Sequence, residues 1–291
     1  MSLVHKYFQE CKDNYRGTLE ESVLSDNSNS KLWEQLAAKH GLEKQNLSLS
    51  IKEKLEFLQK NRFCVIDIND NHVKSLDSAF KLIDEEWANP SPKIARLTAE
   101  GFSVYDGPSL RNVTYVSSFS EESILDIRNF LIKTEIKLLL EKFYCSNVGA
   151  CNVRAYRYTH NPEEKNTHKK EVFDTAVQFN PHKDGLLPGT IKIMIFKNPL
   201  GENLDAKDGV TELCVSGDGV NWISPGLGRS PTCLIFESNH ILHRALRPGL
   251  GRIRDLIELT IIPKIENDFP IIASGAHAGY PENLRTHWSK E

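Results

Sequence analysis

The stretch FNPHKDGLLPG, Phe179 to Gly189, sets a histidine and an aspartate two residues apart, just after an aromatic residue and just before a glycine-containing turn. On a strand, residues i and i+2 point to the same face, so His182 and Asp184 present an imidazole and a carboxylate side by side. That pair is half of a metal site, and the rest of the chain must supply the other half. Downstream lie His240, His243, His277 and His287. Of these, His243 is the better third ligand. It sits where an apolar strand breaks into a loop, is followed directly by Arg244, and precedes Arg252 and Arg254 by nine and eleven residues. His240 competes with it at i, i+3.

Two imidazoles and one carboxylate on one side of a metal leave three positions open, the arrangement of non-haem Fe(II) oxygenases. Those open positions are what a co-substrate and O2 require, because both bind the metal directly. An arginine nearby, always charged and forked, suits the far carboxylate of a dicarboxylic acid. Alternation puts Arg252 and Arg254 on one face of the last strand, with Ile253, Ile257, Leu259 and Ile261 packing near the other. A short Pro-Gly-Leu-Gly turn lets His243 and that strand lie close together on adjacent strands. Tyr156 and Tyr158 share a face with Asn152 and Arg154 and are candidate pocket residues.

The elements that must carry these residues read as two halves. Residues 1–60 look helical and polar, with apolar residues at helical spacing in NSKLWEQLAAKHGL and SLSIKEKLEFLQKNRF, and form an extension on a main domain spanning 61–291. FCVIDIND reads as a strand, HVKSLDSAFKLIDEEW as a helix, and Ser123 to Tyr144 as one long amphipathic helical stretch. From about residue 149 to 265 the chain reads as short strands parted by Gly, Pro, Asn and Asp turns. The expected fold is α+β, mainly β: a sandwich or jelly roll buttressed by N-terminal helices. Polar YDGPSLRNVTY, Tyr105 to Tyr115, is either a substrate loop or a connector.

Composition narrows the function classes. The 291 residues are 40% hydrophobic and 26% charged with a formal net charge of -3, so no global basic field invites nucleic acid or an acidic membrane. Six cysteines without a CxxC pair read as reduced core thiols of an intracellular, cytoplasmic protein. The polar start MSLVHKYFQECKDNYRG has no signal-peptide core, and no apolar run approaches the roughly 20 residues of a membrane helix. A small-molecule substrate is the expected partner.

The segment from about Asn152 to Pro263 resembles the Fe(II)- and 2-oxoglutarate-dependent dioxygenases, which carry HxD, a distal histidine about sixty residues on and a basic residue about ten further. HKDGLLPGTIKIMIFKNPLGENLDAKDGVTEL is similar to the family's HxD, core strand and return, and LIFESNHILHRALRPGLGRIRDLIELTII to its distal histidine and closing strand. The resemblance implies a double-stranded β-helix (jelly roll, cupin-like) with His182, Asp184 and His243 as iron ligands. It implies 2-oxoglutarate and O2 as co-substrates, Arg252 at the distal carboxylate with Arg254 as the alternative, and decarboxylation to succinate and CO2 coupled to hydroxylation of substrate. In some members a tyrosine or lysine also meets 2-oxoglutarate, and that position falls among Lys192, Phe196 and Lys197. Two rivals remain at this point: an iron oxygenase of the same fold that does not use 2-oxoglutarate, and a non-catalytic cupin-like binding protein.

Overall fold

The computed structural model describes residues 48–88, 94–98, 101–105, 113–116, 119–144, 148–159, 181–184, 191–197, 210–225, 231–238, 240–246 and 253–263. Residues 1–47 of the expected extension therefore lie outside the described residues. Helix α1 (Leu49–Asn61) begins at Ser48, whose side chain accepts from the Ile51 N–H, and ends where Arg62 turns left-handed at φ 63 and donates its N–H to Leu58 O. The chain then passes through β1 (Phe63–Asp67), α2 (Asp70–Lys74), α3 (Asp77–Ala88), the hairpin β2 (Ile94–Thr98) and β3 (Gly101–Tyr105), and β4 (Val113–Val116). Next come α4 (Glu121–Lys133), α5 (Ile136–Tyr144), β5 (Val148–Thr159), β6 (Ile191–Phe196), β7 (Thr211–Cys214), β8 (Thr232–Glu237), β9 (Leu242–Ala245) and β10 (Ile253–Pro263).

Two expected helices are broken. The 123–144 stretch divides at Thr134 and Glu135: Thr134 folds its hydroxyl back onto Phe130 O at 2.7 Å, and Glu135 takes φ 58. The stretch from His72 to Trp87 divides at Ser75 and Leu76, where Leu76 O opens the second helix by accepting from Ala79 and Phe80. In both cases the apolar spacing continues across the break, so periodicity alone runs the two helices together.

Strands β1, β8, β6, β10, β5 and β4 form one antiparallel sheet in that order, and β7 and β9 form a second, two-stranded sheet. Isolated bridges add residues on either side of this pair: His182 to His243 of β9, and Ile223 to Leu213 of β7. β9 and β10 are thus not ladder neighbours as expected: β9 belongs to the small sheet and β10 to the large one. The large sheet is covered on both faces, which is why IKIMIF of β6 is buried at every position. Cys64, Val153, Ala155, Ile193, Ile195, Cys233, Ile235, Ile257 and Leu259 pack toward the helices, including Ile51 and Leu58 of α1. The alternate residues Tyr156, Tyr158, Met194, Phe196, Leu234, Phe236 and Leu256 meet Val210, Leu213 and Ile241 in a second cluster between the sheets. The architecture is mixed α/β with antiparallel sheets. None of the described helices is long and apolar enough to cross a membrane.

On the helix side a buried ion pair ties α3 to the sheet. Arg157 of β5 donates from Nε and Nη2 to the two oxygens of Asp255, its ladder partner on β10, at 2.8 and 2.7 Å, and from Nη2 to Asp84 of α3 at 2.6 Å. These bonds hold the guanidinium well above its usual proton affinity: the hydrogen bond to Asp255 raises it first, against burial. Removing one partner strands the other charge in the interior. Asp255→Ala is expected to lower the unfolding free energy by about 3 kcal/mol in urea titration, with metal affinity unchanged because Asp255 faces away from the site.

Candidate metal centre

His182 is held by an exchange of backbone hydrogen bonds with His243, N–H to O at 3.0 Å and 2.9 Å in the two directions. Asp184 is fixed by its own N–H, which donates to Ser238 O at 2.9 Å. These three bonds bring the motif of the opening stretch against β9. Asp184 Oδ1 lies 3.8 Å from His182 Nε2 and 3.6 Å from His243 Nε2, and the two imidazole centroids are 4.3 Å apart. One donor atom from each of the three residues falls within 4.8 Å of the others. The expected triad is brought together, and His240 is not part of it: its Nε2 lies 3.6 Å from buried Glu237, which is also bonded to Arg62.

The donor set fits a divalent metal on its chemistry. His243 Nδ1 lies 2.9 Å from Ile241 O, and a carbonyl only accepts, so Nδ1 carries a proton and Nε2 is the nitrogen left to ligate. That Nε2 is buried without a hydrogen-bond partner, aimed at the other two donors. A bond of this kind from the far ring nitrogen to a carbonyl is how ligating histidines are oriented. Burial pushes the Asp184 carboxyl up, but the opposing effect of its neighbours, the Lys192 ammonium first, outweighs it and holds the group well below the usual carboxylate range. The carboxylate is therefore ionised and ready to ligate.

Around the triad the inner faces of β5, β6 and β10 are polar. Lys192, buried, sets Nζ 2.5 Å from Asp184 Oδ2 and 3.7 Å from Glu258. Glu258 is also 3.7 Å from Arg154. Burial works against the Lys192 ammonium, yet Asp184 and Glu258 keep its proton affinity above the ordinary value. Arg254 is 4% exposed, and its Nη2 donates to Thr211 Oγ1 at 2.8 Å. Its guanidinium carbon is 5.3 Å from the centroids of both Tyr158 and Phe196. Its Nε has no hydrogen-bond partner, and burial pulls the group below its usual value with no carboxylate in ion-pair contact among the described residues.

Each candidate residue now has a location. Tyr156 and Tyr158 line the inner face, Tyr156 bonded to Glu258 and Tyr158 stacked beside Arg254. Lys192 and Phe196 face inward, while Lys197 points outward to Asp84 and the Phe80 ring. Arg252 lies outside the described residues. Thr211 carries no signal in the sequence, and a glutamate at position 212 reads most simply as a surface residue. Glu212 is instead 1% exposed and carries Arg244, at 2.7 Å from Nε, with Arg244 stacked on Trp222. A carboxylate inside the apolar run VTELCV was the available signal. Alanine at His182, Asp184 or His243 is expected to abolish stoichiometric Fe(II) or Zn(II) binding in equilibrium dialysis with the circular dichroism spectrum retained.

No family model and no curated protein matches the sequence. Solved structures do. A prolyl hydroxylase from Trichoplax adhaerens, in complex with a peptide fragment of the hypoxia inducible factor oxygen degradation domain, is 12% identical. That match covers 74% of this chain and 89% of that one at TM-score 0.50. SnoN, a non-heme alpha-ketoglutarate-dependent epimerase from nogalamycin biosynthesis, matches at 11% identity, 74% and 83% coverage and TM-score 0.49. AviO1 from Streptomyces viridochromogenes matches at 10% identity, 77% and 100% coverage and TM-score 0.49. The chain has the fold of the Fe(II)/2-oxoglutarate-dependent oxygenase superfamily.

Proposed function

We propose that the protein is an Fe(II)- and 2-oxoglutarate-dependent oxygenase that hydroxylates a small polar substrate, with His182, Asp184 and His243 holding iron and Arg254 binding the distal carboxylate of 2-oxoglutarate. The strand order supports the double-stranded β-helix this function is built on. From β5 onward the chain alternates between sheets: β5 large, 181–184 small, β6 large, β7 and Ile223 small, β8 large, β9 small, β10 large. Iron and 2-oxoglutarate, when bound, supply the oxidation, with succinate and CO2 released.

The observation that carries the reading is Arg254. A buried guanidinium with one hydroxyl partner, aromatic rings beside it and no carboxylate in ion-pair contact among the described residues is a costly arrangement unless an anion completes it. A carboxylate accepting from Nε and Nη2 would do so in fork geometry. Thr211, its partner, is two residues along β7 from Leu213, the ladder partner of His243, about 7 Å at strand rise. A short dicarboxylic acid can bridge that span with one end at the metal. Tyr156, Met194 and Leu256 belong to the buried apolar cluster on this face of the sheet.

The test is an anaerobic titration of the metal-free protein with Fe(II) and then 2-oxoglutarate, following the visible charge-transfer band of a chelated 2-oxo acid. The band is expected in the wild type and absent in His182→Ala. In Arg254→Met the dissociation constant of 2-oxoglutarate should rise about 30-fold, the loss of roughly 2 kcal/mol from a buried charge-assisted contact. The same variant, free of an uncompensated buried charge, should be no less stable than wild type without co-substrate. Iron binding with no band would instead favour an oxygenase that draws electrons from its own substrate, and absence of metal binding would end the reading.

A further inference from the structure

The metal triad offers two carboxylate oxygens, and they are not equivalent. Asp184 Oδ1 faces both histidine Nε2 atoms, at 3.8 and 3.6 Å, whereas Oδ2 faces Lys192 Nζ at 2.5 Å. Lys192 has little freedom to leave. It is 7% exposed in a strand buried at every position, its ammonium lies 5.9 Å from the Phe236 ring centroid, and its other anionic neighbour, Glu258, is 3.7 Å away. Phe236 in turn meets the His243 ring edge-on, at 5.0 Å between centroids, so Lys192 is packed into the wall that also supports the distal ligand.

A carboxylate that rotates to give a metal both oxygens would have to break the contact with Lys192 and leave a buried ammonium with, among the described residues, Glu258 alone to answer it. Resting on the oxygenase reading above, we infer that Lys192 is a positioning residue: it occupies Asp184 Oδ2, restricts the aspartate to one-oxygen ligation and so keeps three positions of the metal open. Two positions serve a chelating 2-oxo acid and the third serves O2. A second aspartate oxygen on the metal would remove one of them. This role differs from that of a co-substrate anchor, in which the ammonium would turn away from Asp184 toward the bound acid.

The experiment compares crystal structures of Zn(II)-loaded wild type, Lys192→Met and Lys192→Arg, alongside 2-oxoglutarate affinity of the Fe(II) forms from the charge-transfer band. In the wild type, Oδ1 is expected at about 2.0–2.2 Å from zinc, with Oδ2 still on Lys192. Lys192→Met is expected to bind metal through both oxygens and to hold 2-oxoglutarate about 10-fold more weakly, the usual scale for loss of a group that orients a ligand. Lys192→Arg, which keeps a cationic donor, should restore one-oxygen ligation. Two-oxygen ligation in the wild type overturns the inference, a result that stands even if Lys192→Met does not fold. So does one-oxygen ligation in Lys192→Met. If that variant also binds 2-oxoglutarate weakly, Lys192 is a co-substrate anchor. If its affinity is unchanged, Lys192 is a structural ion pair. Failure of the wild type to take up metal reports separately against the oxygenase reading.

Discussion

A β-strand sends successive side chains to opposite faces, and in β10 that alternation separates an apolar core from a polar site with nothing between them. Ile257 and Leu259 pack toward the helices, while Arg254 and Glu258 face the space between the sheets. A slip of one residue would exchange the two sets, burying charge among the helices and placing isoleucines around the metal. The long pairing of β10 with β5 and its second ladder with β6 exclude that slip. The register shift between Thr260 and Ile261 falls at the far end, past the last charged residue of the site. Register, set by apolar burial on one face, is therefore what decides where every charge on the other face stands.

The charges on that face divide into two groups with different energetics. Asp184, Lys192, Glu258 and Arg154 form a chain of contacts in which each buried charge has an opposite neighbour. Such a network contributes little net stability, since its Coulomb gain roughly offsets desolvation, but each member is costly to remove alone. Arg254 is the exception, buried against aromatic rings with a threonine hydroxyl as its hydrogen-bond partner. The helix side has no comparable cost, because Arg157 meets Asp255 through two bonds and Asp84 through a third. Among the described residues, the charge without an opposite partner thus stands between the sheets, on the side of the triad.

Much of this was written locally in the sequence. Spacing of two between His182 and Asp184 and the apolar run before His243 identified the triad, and alternation identified Arg254 as sharing a face with Arg252. What stayed hidden was non-local. Nothing in the order of residues says that Thr211 would meet Arg254, or that Lys192 would choose Asp184, because those contacts join strands of different sheets. Spacing from His243 put Arg252 ahead of Arg254, but a period of two fixes a face and not a depth, so alternation itself does not separate them. The helix breaks at Ser75 and Glu135 were missed because the apolar spacing continues across them. The crossing of β9 and β10 into separate sheets was missed because a short turn reads equally as a hairpin.

Asp184 lies outside the regular strands, and its N–H is placed by one bond, to Ser238 O. The position of Ser238 follows from Glu237, whose N–H donates to Arg62 O at 3.0 Å and whose carboxylate accepts from Arg62 Nη1 at 3.1 and 3.2 Å. Arg62 can serve both bonds because it closes α1 in the left-handed region, which turns its carbonyl and its side chain together toward the end of β8. Ile51 and Leu58 hold that helix in the core on the opposite face of the sheet from the triad. Helix α1 thus contributes no side chain to the triad but sets, through these bonds, the segment that holds Asp184. A strand-borne ligand needs only its ladder, as His243 shows; a ligand borne by irregular chain needs this second anchorage to stay within the tolerance a metal site imposes.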